Sequence, residues 1–238
     1  METVLELLQG AGIKLKLKKC FFFRDEVEYL GFRIRPGTLS ACPDAKAIAA
    51  IKEATFPKYV TAMKSFLGAC NVYRSFIKGF AKMSTPLTDM LKKDSDVEWD
   101  EALEPTKEKR EAFETLKEAL ITPPTLTLPV RSRPYMTDCD SSAYAVGVVL
   151  FQQQDEADEK NWATVGFYSK NLTKEQRNYS ATERECYAVI WAVITLRPYL
   201  EGTEFKVRSD HNALKWMLTL NDPTGRLMRR RLRLMEFN

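Results

Sequence analysis

The chain has 238 residues and a mass of 27.3 kDa, with 45% hydrophobic and 29% charged residues. That is enough for one large domain or two small ones with a buried core, and it excludes an intrinsically disordered chain. Thirty-six Lys+Arg against 32 Asp+Glu leave a formal charge of +4, which permits a nucleic-acid partner without demanding one. No stretch approaches about 18 uninterrupted apolar residues, so no membrane partner is expected. The opening METVLELLQG carries two acids and no basic start, so no secretion signal is read there. Five scattered cysteines without a CxxC pair argue against a disulfide framework or a zinc site and fit a reducing compartment, cytoplasmic or nuclear. With His211 the single histidine, chemistry must lean on carboxylates, hydroxyls, thiols or lysine.

Taken in chain order, residues 2–10 read as a helix stopped by Gly10 and Gly12. Residues 20–23 (CFFF), an acidic turn at 24–26 and the alternating run 27–34 read as a hairpin at the edge of something larger, closed by the Pro36-Gly37 turn signal. Residues 43–92 are helical. One helix opens at Pro43-Asp44 and ends at Phe56-Pro57. A second places Val60, Met63, Phe66, Leu67, Cys70, Phe76, Ile77 and Phe80 at helical spacing over about five turns. A third, short helix runs over 86–92. A polar connector with Trp99 leads to an amphipathic helix over 107–120, and Pro123, Pro124, Pro129 and Pro134 mark a domain boundary. From 134 the pattern changes to strands at 134–141, 146–153, 163–168 and 204–209. Ser180-x-x-Glu183 is a capping box for a helix reaching about Leu200. A helix over 213–220 and a fifth strand over 231–238 complete the expected mixed α+β arrangement. Phe21, Phe22, Phe23, Phe66 and Phe76 are assigned to the core.

Three acids of the second half stand where chemistry could use them: Asp140 near the end of one strand, Glu185 in the second turn of the capped helix, and Asp210 at the end of another strand. Clustered carboxylates without histidine suit Mg²⁺, which prefers hard oxygen ligands. Two such ions can activate a water and stabilise the leaving oxygen of a phosphodiester. Among 32 Asp+Glu, solvated acids remain the ordinary reading of spacing alone.

The motifs carry more. MTDCDSSAYAVGVVL (136–150), NYSATERECYAVIWAVITLRPYL (178–200) and VRSDHNALKW (207–216) resemble, in order, the three motifs of the RNase H domain of gypsy-type LTR-retrotransposon reverse transcriptases. LQGAGIKLKLKKCFFFRDEVEYLGFRI resembles the end of the palm, and SFLGACNVYRSFIKGFAKMSTPLTDMLKK resembles the thumb. The resemblance implies a palm remnant over 1–40, a helical thumb or connection over 41–127, and an RNase H-like mixed five-stranded sheet with helices over 128–238, incomplete at its C-terminus. It implies Mg²⁺, with Mn²⁺ able to substitute, held by Asp140, Glu185 and Asp210, and hydrolysis of the RNA strand of RNA–DNA hybrids. Asp140 matches the first metal-binding aspartate by its seven-residue distance to Gly147. Asp138, nine residues away, is the competitor. His211 is read as a polar residue at a strand-to-helix turn.

The resemblance also implies nucleic-acid contacts at Leu30, Gly31 and Phe32, where the family holds the primer end, and at Lys64, Asn71, Arg74 and Lys78 of the thumb. Arg226 belongs to a basic run near the C-terminus, which can equally be a solvated face. A hybrid would be read by shape and 2′-hydroxyls rather than by base sequence. The family's Tyr-x-Asp-Asp polymerase motif is expected upstream of Val4 and a fourth carboxylate beyond Asn238. The chain is therefore expected to be part of a longer polyprotein, to make no DNA by itself, and to be either a hybrid ribonuclease or a catalytically inactive fragment that binds nucleic acid. Its oligomeric state is left open.

Overall fold

The computed structural model describes residues 2–42, 46–91, 106–131, 133–155, 158 and 160–209. Helix α1 (Glu2–Gly10) is stopped as its glycines predict: Gly12 takes a left-handed φ of 70°, and Ile13 N–H turns back to Leu8 O at 2.9 Å. Val4, Leu5 and Leu7 are exposed, and the helix buries no side chain.

The run 27–34 is not one strand. It folds into β1 (Val27–Tyr29) and β2 (Phe32–Arg35), which pair antiparallel across Leu30-Gly31. Both turn residues have positive φ, 51° and 84°, the geometry that matches the twist of a two-residue hairpin and that glycine adopts without strain. After a further turn at Gly37 (φ 76°), β3 (Thr38–Ala41) extends the sheet. Residues 20–23 join no strand, so Phe21, Phe22 and Phe23 are 67%, 42% and 91% exposed. Their assignment to the core is corrected: with no sheet partner they have no apolar layer to enter.

Helices α2 (Lys46–Glu53), α3 (Val60–Val72), α4 (Phe80–Asp89) and α5 (Lys107–Ile121) follow. The apolar spacing over 60–80 is real, but the helix is not continuous. It leaves the α conformation at Tyr73, passes through a 3-10 turn at Arg74–Phe76, and restarts after Gly79 in the left-handed region (φ 73°). That restart lies more than a turn before Pro86, so Pro86 sits inside α4 and does not open a separate helix. Strand β4 (Leu126–Thr127) then returns to pair with β3, giving a first sheet in the order β1-β2-β3-β4. Its core joins Met63, Phe66, Cys70, Tyr73, Phe76, Leu87, Phe113, Leu116 and Leu120 to Ala41 and Leu126 of the sheet. The Phe113 ring lies 4.6 Å from Phe66 and 5.5 Å from Phe56.

The second half is a meander of β5 (Tyr135–Ser141), β6 (Ala145–Gln153) and β7 (Trp162–Asn171), then α6 (Lys174–Arg177), α7 (Ala181–Thr195), α8 (Arg197–Leu200) and β8 (Phe205–Ser209). Strand β8 runs parallel to the first strand of the meander, so the described sheet has the order β7-β6-β5-β8 and is mixed. The capping box at Ser180 and Glu183 forms in both directions, at 3.2 and 3.0 Å, and a second at Thr173 and Gln176 opens α6. The polar connector with Trp99, the helix read over 213–220, His211 and the fifth strand read over 231–238 lie outside the described residues.

Strand β6 (AVGVVLFQQ) is buried at Ala145, Val146, Val148, Val149 and Leu150. Near-continuous burial means cover on both faces. Helix α7 packs on one face and α4 reaches the other. Ser169 of β7, 4% exposed, accepts the Ala81 amide on its hydroxyl at 2.9 Å and the Arg74 guanidinium on its carbonyl at 2.5 Å; Thr85 donates to Asn171 Oδ1 at 3.0 Å. Among the described residues no helix is long and apolar enough to cross a membrane.

Phe113→Ala is expected to lose about 3–5 kcal/mol of stability by emptying the first core, whereas Phe23→Ala stays within about 0.5 kcal/mol. Thermal or urea unfolding of the two variants checks this; similar losses in both would contradict the burial assignment.

Candidate active site

Strand β5 carries its side chains alternately to the two faces of the sheet. Thr137, Cys139 and Ser141 turn to the face covered by α7, and Asp138 and Asp140 to the other. Asp138 pairs across with Arg208 of β8, its register partner. The guanidinium forks onto both carboxylate oxygens, at 2.5 and 2.6 Å, with its carbon 5.9 Å from the Phe151 ring centre. The hydrogen bond to Asp138 raises Arg208 further above its ordinary range. Both side chains are partly in water, so the pair contributes at most about 1 kcal/mol. Its consequence is that Asp138 has both oxygens engaged.

Asp140, two residues on, is exposed at the strand end and opposite Gly147. Glu185 sits in the second turn of α7, where the capping box fixes the start of the helix. Ser141 Oγ donates to Glu185 Oε1 at 2.7 Å, while Glu185 Oε2 is buried with no hydrogen-bond partner. A buried carboxylate oxygen without a donor is unfavourable unless a cation or a water completes it. Ser209 Oγ, on the β8 residue in register with Cys139, is a second buried oxygen without a partner. These hard oxygens are the donor chemistry a divalent ion uses.

Ser141 links the two acids along the chain, since it follows Asp140 and holds Glu185. Strand alternation nevertheless assigns Asp140 and the Ser141–Glu185 pair to opposite faces. Among the described residues no group of three or more His, Cys, Asp or Glu comes together as a metal site. Asp210, next after Ser209, lies outside the described residues. Motif reading missed Ser141 and Ser209, because their value depends on which neighbour each faces; a hydroxyl directly after Asp140 and one directly before Asp210 were the only signals.

The residues assigned to nucleic-acid contact are spread over the first half. Leu30 is 75% exposed at the hairpin tip beside Gly31. Phe32 instead packs inward, 5.8 Å from Phe76 in a stacked arrangement and 5.4 Å from Tyr73. Lys64, Asn71 and Lys78 are exposed. Arg74 is exposed as well, and its guanidinium also meets Asn71 Oδ1 at 3.2 Å, Ser169 O, and the Phe80 ring at 5.5 Å. Arg226 lies outside the described residues.

A mixed sheet of three antiparallel strands with a fourth parallel to the first, backed by a capped helix that carries a carboxylate to the strand ends, defines an RNase H-like domain. Residues 130–237 match the family profile of the RNase H-like domain found in reverse transcriptase. The whole chain is 34% identical to the Retrovirus-related Pol polyprotein from transposon 297 of Drosophila melanogaster, covering 21% of it. It is 35% identical over 95% of its length to that from transposon 412 of the same organism, covering 17%. It is 33% identical over its full length to the Transposon Tf2-3 polyprotein of Schizosaccharomyces pombe, covering 17%. The chain thus spans about a fifth of the length of these relatives. Among solved structures, the foamy viral protease-reverse transcriptase in complex with RNA/DNA hybrid superposes with a TM-score of 0.77 at 21% identity, over 99% of this chain and 31% of that one. The same viral protein in complex with dsDNA gives 0.76 at 20% identity, over 100% and 48%. At that identity the likeness shows the fold. Residues 130–237 are an RNase H-like domain of the reverse-transcriptase kind, and the chain is homologous to part of the Pol polyproteins of transposons, consistent with the C-terminal part of an LTR-retrotransposon reverse transcriptase. RNase H-like domains generally use divalent metal ions.

Cys139 lies buried beside this site, and burial first, then the nearby Asp138 and Glu185 charges, push its thiol up to about 12; burial does the same to Cys70. A thiol held neutral when folded and free to ionise near pH 8.5 when unfolded gives stability that is complete below that pH and is lost as pH rises toward 12. The urea midpoint is therefore expected to fall above pH 8.5, with a shallower slope in Cys139→Ala. An unchanged slope would contradict it. At pH 8 a thiol reagent should label Cys20 rapidly and buried Cys42, Cys70, Cys139 and Cys186 only on unfolding.

Proposed function

We propose that this chain is the RNase H-bearing segment of a retroelement polyprotein and hydrolyses the RNA strand of RNA–DNA hybrids with Mg²⁺, or Mn²⁺ in its place. The observation that carries this is the buried, partnerless Oε2 of Glu185, whose other oxygen Ser141 holds in place. Asp140, Glu185 and Asp210 would hold the metal. Bound there, a divalent ion would supply a water of lowered pKa and offset charge at the scissile phosphate. Ser141 fixes the Glu185 rotamer, and the Ser180 cap fixes the helix that presents it. The Arg208 fork keeps Asp138 occupied. In this reading residues 1–40 are the end of a palm, 41–127 a thumb or connection, and 128–238 the RNase H-like domain.

The nucleic acid is an RNA–DNA hybrid or duplex. The solved structures of like fold, held in complex with dsDNA and with RNA/DNA hybrid, support this partner. The hairpin tip at Leu30-Gly31 and the exposed Lys64, Asn71, Arg74 and Lys78 are the contacts proposed in the first half, with Arg226 in the second. Phe32 shapes that surface from within through the rings it touches, and Arg74 stays exposed on it while also holding Ser169 O.

A second reading, a hybrid-binding segment without turnover, is favoured by the alternation that sends Asp140 and Glu185 to opposite faces. Cleavage of a labelled hybrid decides between them. The first reading expects cleavage at millimolar Mg²⁺ that a chelator stops. It expects loss of at least about a hundredfold in Asp140→Asn and Glu185→Gln, about 10–100-fold loss in Ser141→Ala, and most activity kept in Asp138→Asn. A wild-type chain that binds hybrid but leaves it intact with both Mg²⁺ and Mn²⁺ selects the second.

A further inference from the structure

The segments that carry Asp140 and Glu185 also carry a cation and an aromatic ring that the proposed function does not use. Tyr144 lies in the turn between β5 and β6, four residues after Asp140, and is 53% exposed. Ser142 builds that turn: its hydroxyl accepts from the amides of Tyr144 at 3.3 Å and Ala145 at 3.0 Å and donates to Ala145 O at 3.0 Å. Tyr144 O then takes the Leu172 amide at 2.7 Å, which ties the turn to the chain leading into α6. Arg177 ends α6, three residues before the cap of α7. Its Nε donates to Leu172 O at 3.3 Å, and its guanidinium carbon lies 5.3 Å from the centre of the Tyr144 ring. Among the described residues Arg177 has no carboxylate partner, so its two terminal NH₂ groups are not spent on an acid.

This is a preorganised cation. The Leu172 carbonyl holds Nε and the Tyr144 ring lies against the guanidinium, so less side-chain freedom is lost when its terminal groups meet a ligand. Such a fork fits the oxygens of a phosphate better than a lysine does. Lys170 adds charge nearby, on the strand row of Val146 and Ser141, with its Nζ 3.5 Å from Tyr187 Oη.

We propose that Arg177 grips a backbone phosphate of the bound nucleic acid beside the candidate active site, and that Tyr144 is a positioning residue acting through Arg177. The inference rests on the proposed function only in taking nucleic acid as the ligand. Phosphate contacts set register and are blind to base sequence. Arg177 therefore anchors the duplex next to the strand ends without contributing sequence preference.

The test is fluorescence anisotropy of the full chain with a labelled RNA–DNA hybrid in EDTA, across a salt series, with cleavage in Mg²⁺ measured separately. Arg177→Ala should weaken binding about three- to tenfold at low salt and make the salt dependence shallower by about one counterion. Arg177→Lys should restore the salt slope but only part of the affinity. Tyr144→Ala should weaken binding about two- to fivefold, and Tyr144→Phe should match wild type because the ring is kept. Arg110→Ala, which removes the same charge from α5 in the other core, is the control. Unchanged binding and salt slope in Arg177→Ala, or an equal loss in Arg110→Ala, overturns the inference, as does a wild-type chain that binds no hybrid. If binding depends on Arg177 while no variant or wild type cleaves, the phosphate contact stands and the ribonuclease reading falls. If cleavage is robust and Arg177 is silent, the reverse holds. Matching melting temperatures for all variants exclude unfolding as the cause.

Discussion

The structure depends on covering one sheet from both sides. Strand β6 is buried almost residue by residue, which no single amphipathic helix can achieve; α7 supplies one face and α4 reaches the other. Burying that second face puts backbone and hydroxyl groups out of water, and they must be paired. Ser169 is where this happens, with its hydroxyl on the Ala81 amide and its carbonyl on Arg74. The helical half and the RNase H-like half are thereby joined through hydrogen bonds that neither could satisfy alone. Arg74 takes part in this while staying exposed: a surface cation of the thumb motif also helps to hold two layers together.

The same rule separates the acids. Asp138 and Glu185 differ less in burial than in satisfaction. Asp138 meets a fork from Arg208 and has no oxygen to spare. Glu185 meets one hydroxyl and retains a buried oxygen with no donor. Unsatisfied buried groups are uncommon in folded proteins, and the proposed metal would complete this one. The cation at Arg177 is the complementary case: positioned by a ring and a carbonyl, with donors left over. One unspent acceptor and one unspent donor set on adjoining segments are what a metal and a phosphate would respectively complete.

Much of the architecture could be read from residue order. The glycine stop of α1, the apolar spacing of α5, the three strands of the meander and the Ser180 capping box are local signals, and each appears where its chemistry places it. The failures share one cause. Val27 to Ile34 alternates like a strand, yet Leu30-Gly31 can adopt positive φ and the run folds on itself. The spacing from Val60 to Phe80 is helical throughout, yet Gly79 permits a restart that periodicity does not register. Three consecutive phenylalanines look like core, yet apolar side chains enter a core only where a second layer exists to receive them.

The order of motifs and the identity of the acids were decided by the chain itself, because hydrogen-bonding capacity, charge and helix caps are properties of residues and their near neighbours. The family resemblance favours Asp140 over Asp138 by the seven residues to Gly147, and in the sheet Asp140 stands opposite Gly147. Which polar atoms are spent and which are spare was decided only by the tertiary structure. Ser141 meets Glu185 across 44 residues and Arg208 meets Asp138 across 70. Arg74 reaches Ser169 across 95, whereas Arg177 stacks on Tyr144 from a separate segment. Such pairings depend on register and on which face of a sheet is covered. A one-residue shift along β5 would exchange every partner while leaving the sequence signals unchanged.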